Sequence, residues 1–154
     1  MKFKNVSLFA FIISISLQCA AQHLSEKAND FLNTLSPELK SKALFPLTDS
    51  ERMNMNYIPI ERKGPTFHDF NDKQKTAALN LLKASLSTQG YEKSREIMDL
   101  ENILFMMENH TTKKPEGKSY RDPLNYHLCI FGNPSPKDFW GWRFEGHHIS
   151  LNFT

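Results

Sequence analysis

A chain of 154 residues with 40% hydrophobic and 23% charged residues has an ordinary globular composition, which excludes a disordered tail and a collagen-like chain. Its 19 basic residues are nearly balanced by 17 acidic ones, so the chain lacks the positive field on which nucleic-acid binding depends, and no nucleic-acid partner is expected. Two cysteines are too few for a small domain stapled by disulfides.

Residues 1–21 have the features of a secretory signal peptide. Lys2 and Lys4 form a short cationic start, residues 6–17 are mostly apolar, and small residues follow at Cys19-Ala20-Ala21. The apolar run is too short to cross about 30 Å of hydrocarbon, so the mature chain is expected to have no transmembrane span. Lipid attachment at Cys19 is the alternative, but Gln18 is bulkier than the residue that lipoprotein signals use there. We therefore expect the mature protein to be secreted or periplasmic.

Residues 22–154 are expected to form a single domain. Removal of the signal peptide takes away Lys2 and Lys4 and no acidic residue, so 17 basic residues face 17 acidic ones in the mature chain. Cys129 is then the only thiol, which excludes an internal disulfide. It lies among large apolar residues, and this setting predicts a small buried hydrophobe rather than a reactive thiol or a metal ligand.

The first part of the mature chain predicts two amphipathic helices and a strand. Apolar side chains recur at helical spacing over residues 25–35, and Pro37 stands where a second, short helix would begin. Over residues 52–60, polar residues alternate with the apolar side chains of Met53, Met55 and Tyr57. This alternation predicts a half-buried strand, which Pro59 would end or place at a sheet edge.

The next segment predicts a helical hairpin. Asn71 and Gln74 have the spacing of a capping box at the start of an apolar stripe, and Gly90 is expected to end this helix with a positive φ. Residues 92–108 predict the second helix, whose apolar stripe consists of Ile97, Leu100, Leu104 and Met107. Residues 111–119 are expected to form an exposed loop.

Two strands are predicted at the end of the chain, over residues 126–131 and 139–153. Strict alternation fails in the second strand, because each face would be half apolar and half polar. A bulge of one extra residue at Gly146 restores the alternation. Helices followed by strands predict an α+β fold, with amphipathic helices and a helical hairpin packed on an antiparallel sheet.

The bulge would gather a row of polar side chains on one face of the last strand, namely Arg143, Glu145, His148, Ser150 and Asn152. Same-face neighbours on a strand lie roughly 6.5–7 Å apart, so two of them can reach one metal ion or substrate. Glu145 and His148 form the best pair, because carboxylate and imidazole serve equally as metal ligands and as acid–base groups. His147 would point to the opposite face unless the bulge turns both imidazoles inward.

Three interpretations of this polar row remain open. It is the solvated face of an antiparallel strand, which is the commonest case, or a metal site, or a metal-free acid–base site. A hydrolase triad of Ser150, His148 and Glu145 is the weakest version, because no nucleophile elbow is present. If the row is only a surface, the protein is a non-catalytic extracytoplasmic binding or interaction module.

Several blocks of the mature chain carry a family pattern. They comprise Arg52, Tyr57, Pro59, Arg62 and Gly64, then Arg121-Asp122-Pro123 and Tyr126, and above all Trp140-Gly141-Trp142-Arg143-Phe144-Glu145-Gly146-His147-His148. This order resembles the secreted domain of unknown function 3500 family. The resemblance implies a longer architecture with further histidines in its second half, so that this chain would be a truncated N-terminal part. It assigns no activity.

With this resemblance, a metal-centred site becomes the leading expectation. His147 and His148 would bind a divalent transition metal, and Glu145 would act as a ligand or general base. Arg143 would neutralise an anionic small-molecule substrate or intermediate. The residues expected to bind the substrate are Arg62, Ser150 and Asn152.

Overall fold

The computed structural model describes residues 21–58, 60–108 and 121–154, and it shows an α+β fold, as predicted. Residues 21–34 are helical and belong to helix α1. The further elements are α2 (Pro37–Ala43), β1 (Leu44–Phe45), a 3₁₀ helix (Ser50–Met53), α3 (Asp72–Ser85), α4 (Thr88–Met107), β2 (His127–Phe131), β3 (Gly141–Gly146) and β4 (Ile149–Phe153). The described residues contain no helix that is both long and apolar enough to span a membrane. Most of the predicted signal peptide and the loop at 111–119 lie outside the described residues.

The four strands form one mixed sheet in the order β1-β2-β3-β4. β2, β3 and β4 are antiparallel neighbours, which agrees with the predicted antiparallel sheet, although β3 and β4 were predicted as a single strand. The two-residue strand β1 runs parallel to β2 and makes the sheet mixed. One sheet face packs against the helices through a core that includes Phe31, Leu81, Tyr126, Trp142 and Phe144. Aromatic rings pack against one another in this core, and Tyr126 stacks on Phe144 with centroids 5.5 Å apart.

The start of α3 follows the predicted capping chemistry, but its end does not. Asn71 and Gln74 exchange two hydrogen bonds of 2.9 and 3.0 Å, which is a capping box. The prediction that Gly90 ends this helix was wrong, because α3 stops at Ser85 and Gly90 lies inside α4. Ser87 starts α4 by accepting a hydrogen bond from the backbone N–H of Gly90. A serine cap therefore begins the new helix before the glycine is reached.

The buried face of α4 differs from the predicted stripe. The residues buried on α4 are Ser94, Met98 and Glu101, which recur at helical spacing. Leu100 and Met107, which were expected to face the core, are 47% and 72% exposed. The inner face of this helix therefore presents a carboxylate to the protein interior.

The predicted strand over residues 52–60 was wrong. The 3₁₀ helix is followed by a segment without regular structure, residues 54–58, here named the strap. The apolar side chains of Met53, Met55 and Tyr57 are 72%, 55% and 67% exposed. The opposite side of the segment turns inward, because its carbonyl groups accept hydrogen bonds from the buried guanidinium groups of Arg62 and Arg143. Polar contacts rather than hydrophobic alternation thus set its orientation.

The bulge predicted at Gly146 was also wrong, because the end of the chain forms a hairpin. β3 ends at Gly146, which pairs with Ile149, and His147 and His148 form the turn between them. Arg143 lies opposite Asn152 and Glu145 opposite Ser150, so these four side chains do share one sheet face, as predicted. His148 leaves the row and occupies the turn instead.

Candidate metal centre

The two histidines project from the tip of the β3–β4 hairpin. Their rings stack with centroids 3.8 Å apart and an angle of 27° between the planes. The carbonyl of His147 accepts a hydrogen bond of 2.8 Å from the Tyr126 hydroxyl, and the N–H of His148 donates one of 2.8 Å to the carbonyl of Tyr57 on the strap. Neighbouring residues on a strand would point to opposite faces, whereas the turn brings both imidazoles together.

His148 adopts a backbone conformation that favours glycine. Its φ is +61°, and it is the only non-glycine residue with a positive φ among the described residues. Such a conformation is costly for a residue with a Cβ atom and persists where the surroundings over-determine it. Functional sites are places where conformations of this kind concentrate.

Glu101 meets the two histidines from the inner face of α4. Its side chain is 1% exposed, and one carboxylate oxygen lies 2.8 Å from Nδ1 of His147. Neither oxygen accepts a well-aligned hydrogen bond from a side chain of the described residues. One potential ligand atom from each of Glu101, His147 and His148 lies within 4.8 Å of the other two. A buried carboxylate and two imidazoles therefore converge on one point.

Burial shifts the pKa values of Glu101 and His147 in opposite directions. Desolvation raises the pKa of Glu101 to about 7, although the guanidinium of Arg121, 4.0 Å away, opposes the rise. Desolvation also lowers the pKa of His147 to about 4, and the neighbouring His148 and Arg121 act in the same direction. His147 is therefore uncharged at neutral pH, which is the form that ligates a metal ion.

The donor set fits a divalent transition metal. Two ligand atoms that each lie about 2.1 Å from one zinc ion are about 3.4 Å apart at the tetrahedral angle. The potential ligand atoms lie at most 4.8 Å apart, so the distance between any two of them would have to shorten by at most about 1.4 Å. His148 is on the surface, so its side chain can rotate to shorten this distance. Two imidazoles and one carboxylate suit zinc, iron or copper, and they leave at least one coordination position open.

Glu145, the carboxylate that the sequence pairs with His148, is outside this cluster. It is 1% exposed, lies 2.9 Å from the guanidinium of Arg143, and accepts a hydrogen bond from the backbone N–H of Asn56. Arg143 is also 1% exposed and pairs with Glu51 at 2.6 Å. The strap covers both side chains, so this part of the polar row is neither a solvated face nor adjacent to the histidines.

The residues predicted to bind substrate are also distributed differently. Arg62 is 3% exposed at its side chain and donates to backbone carbonyls, including that of Gly146 at 3.2 Å. The hydroxyl of Ser150 lies 3.5 Å from Glu145, and Asn152 is exposed near the far end of the hairpin. The structure gathers the predicted site residues into two separate groups. Arg62, Arg143 and Ser150 lie around Glu145, whereas His147 and His148 meet Glu101, which sequence reasoning missed. Its helical spacing from Ser94 and Met98 is the signal that would have found it.

The comparisons with known proteins identify a family but no characterised relative. The family described as "Protein of unknown function (DUF3500)" matches residues 18–154. No curated protein and no solved structure matches the chain. The matched range includes Glu101, His147 and His148, and it covers all but the first 17 residues of the chain. The chain therefore belongs to the DUF3500 family.

Proposed function

We propose that this protein binds a divalent transition metal through Glu101, His147 and His148, and that it acts as an exported, metal-dependent protein. One observation carries the proposal. A carboxylate that is 1% exposed faces two imidazoles, and one potential ligand atom from each of the three groups lies within 4.8 Å of the other two. A buried carboxylate is costly where little positive charge surrounds it, and a cation at this point would compensate its charge.

The chemistry that suits this centre is metal-assisted hydrolysis of a small molecule. A divalent ion with three protein ligands keeps a position for water and lowers the pKa of that water towards neutrality. The guanidinium of Arg121 lies 3.3 Å from Nδ1 of His147 and is held by Glu108 at 2.7 Å. The ion pair with Glu108 fixes this guanidinium beside the centre and compensates its charge, so Arg121 would orient the imidazole of His147 rather than neutralise a substrate.

Export is part of the proposal because of the cationic start and the short apolar run at the beginning of the chain. Cleavage after Ala21 would release the domain into the periplasm or the medium. Mass determination of the protein recovered from the periplasm or medium of an expressing bacterium tests this step. A mass that includes residues 1–21 would contradict it.

Metal analysis of purified variants tests the centre. We expect the protein to retain stoichiometric zinc after dialysis, and His148→Ala and Glu101→Gln to lose it. His23→Ala is the matched control, because His23 is an exposed histidine on α1 outside the cluster. Circular dichroism establishes that each variant is folded. Metal-free wild-type protein, or equal metal content in wild type and both cluster variants, would contradict the proposal.

A non-catalytic interaction module is the second candidate, and the strap favours it. Met55 and Tyr57 expose 55% and 67% of their surface on the strap, which contacts the histidine turn through the carbonyl of Tyr57. Exposed methionine and tyrosine are enriched in protein interfaces. Wild-type protein that binds no metal and is as stable as His148→Ala would favour this module over a metal centre.

A further inference from the structure

Arg62 is one of the side chains that attach the strap to the rest of the protein, beside Arg143 and Glu145. Arg62 donates hydrogen bonds of 2.9 Å to the carbonyls of Asn56 and Ile60, and another to the carbonyl of Ile58. These carbonyls have no strand partner, because the segment forms no regular secondary structure. The guanidinium therefore supplies the donors that a neighbouring strand would otherwise provide.

The same guanidinium reaches the tip of the hairpin. Nη2 of Arg62 lies 3.2 Å from the carbonyl of Gly146, the residue that precedes the two histidines. On the strap, its partners Asn56 and Ile58 stand on either side of Tyr57, whose carbonyl accepts the N–H of His148. Arg62 thus holds both sides of the contact that links the strap to the histidine turn.

The charge of Arg62 is compensated inside the protein. Its Nε atom lies 3.5 Å from Glu145, and the two side chains are 3% and 1% exposed. Desolvation lowers the pKa of Arg62, and the neighbouring carboxylate opposes this change. A lysine at this position would keep the charge, but its single ammonium group could not serve carbonyls spread along the strap and the hairpin.

We propose that Arg62 is a positioning residue for the metal centre, holding the strap against the hairpin so that His148 stays in its left-handed conformation with its imidazole directed towards Glu101. The part of the proposal that concerns metal affinity rests on the proposed function. Its conformational part does not, because the hydrogen bond between Tyr57 and His148 joins backbone atoms and involves no metal ligand atom.

The test compares Arg62→Lys with Arg52→Lys, in which the altered arginine is half-buried on the neighbouring 3₁₀ helix. The first readout is hydrogen exchange of the His148 amide in metal-free protein. Loss of one hydrogen bond of ordinary strength corresponds to roughly tenfold faster exchange. We expect this acceleration at His148 in Arg62→Lys, with unchanged exchange at Ile130 in the central strand β2, and no change at either amide in Arg52→Lys.

The second readout is zinc affinity from competition with a chelator, together with the visible spectrum of the cobalt-substituted protein. Residues that orient metal ligands typically contribute about 10- to 100-fold to affinity, and we expect a loss of this size in Arg62→Lys. We also expect a changed cobalt spectrum, which a general loss of stability would not produce in protein that remains folded. Wild-type affinity and spectrum in folded Arg62→Lys would overturn the proposal.

The two readouts separate the failure of this inference from failure of the metal centre. If wild-type protein binds no zinc or cobalt, the proposed function fails, and the exchange of the His148 amide alone decides the role of Arg62. If Arg62→Lys does not fold, Glu145→Gln removes the ionic partner of Arg62 and is expected to accelerate exchange at His148 more than at Ile130. Equal protection of the His148 amide in wild type and the folded variant overturns the inference in either case.

Discussion

Replacing His148 by glycine should increase the stability of the metal-free protein while abolishing metal binding. A left-handed conformation costs a residue with a Cβ atom about 1–2 kcal/mol, and His148 has a φ of +61°. Glycine avoids this cost but loses about 0.5–1 kcal/mol more conformational entropy on folding. The imidazole is exposed, so little buried contact is lost. The expected net gain is about 0.5–1 kcal/mol.

Metal should reverse the order of stability of the two proteins. At a free zinc concentration of about 100 times Kd, wild-type protein would gain about 2.7 kcal/mol, which exceeds the gain from glycine. His148→Gly, lacking one ligand, should gain far less. Thermal unfolding followed by circular dichroism, in a chelator and then in zinc, measures both effects. The variant should have the higher Tm in the chelator and the lower Tm in zinc.

His147→Gly is the matched control, because His147 shares the turn but is not among the residues with a positive φ. This change should lower stability in both conditions, since it relieves no strain. A variant at His148 that is less stable than wild type in the chelator would refute the strain argument. An equal increase in Tm on adding zinc to wild type and His148→Gly would refute the assignment of this imidazole as a ligand.

Three further predictions concern the region around β2. Gly64→Ala should lower the free energy of unfolding by roughly 2–4 kcal/mol, because Gly64 has a φ of +93° and an added Cβ atom would lie 2.6 Å from Sγ of Cys129. Urea titration measures this loss, and unchanged stability would contradict the close packing at Gly64. Burial raises the pKa of Cys129 to about 11, so the thiol of the folded protein should resist alkylation by iodoacetamide at pH 8. It should react once the protein is unfolded in urea. Rapid labelling of the folded protein would contradict the burial of this thiol. Burial lowers the pKa of His127, so the folded state binds fewer protons than the unfolded state, and stability should fall as pH decreases through about 6.5. His127→Gln should therefore show a shallower loss of urea stability between about pH 7 and pH 5 than wild type, and parallel curves would exclude this contribution.

The structure could be predicted from the sequence where interactions between neighbouring residues in the chain determine it. The capping box of Asn71 and Gln74 and the burial of Cys129 both follow from neighbours in the chain. The shared face of Arg143 and Glu145 was also correct, although the bulge was not. A one-residue bulge and a two-residue hairpin turn restore the alternation in the same way, so the pattern alone does not distinguish them.

Long-range polar contacts explain why the strap could not be predicted. Its alternating residues have the pattern of a half-buried strand, yet the side that faces inward is chosen by Arg143, which lies far along the chain. Hydrophobic periodicity assumes that apolar burial determines orientation. Here two buried guanidinium groups need acceptors, and satisfying them leaves Met55 and Tyr57 exposed.

Glu101 was missed for a related reason. The predicted stripe on its helix contained only apolar residues, whereas the real inner face includes this carboxylate. Positions that break the expected pattern concentrate at functional sites, so this failure is itself informative. The double histidine stands out because two imidazoles are adjacent in the sequence, whereas the only signal for Glu101 is its helical spacing from Ser94 and Met98.

Two of the buried carboxylates in the described part of the chain are equally inaccessible to solvent but are compensated differently. Glu145 and Glu101 are each 1% exposed. Glu145 has Arg143 at 2.9 Å and Arg62 at 3.5 Å, so its charge is balanced by permanent cations. Glu101 has a guanidinium only at 4.0 Å and an imidazole whose pKa is lowered to about 4, so the groups around it offer less positive charge at neutral pH. Because buried charges need compensation, the contrast indicates that Glu101 holds either a proton or a cation, and two converging imidazoles are suited to supply the remaining ligands of the cation.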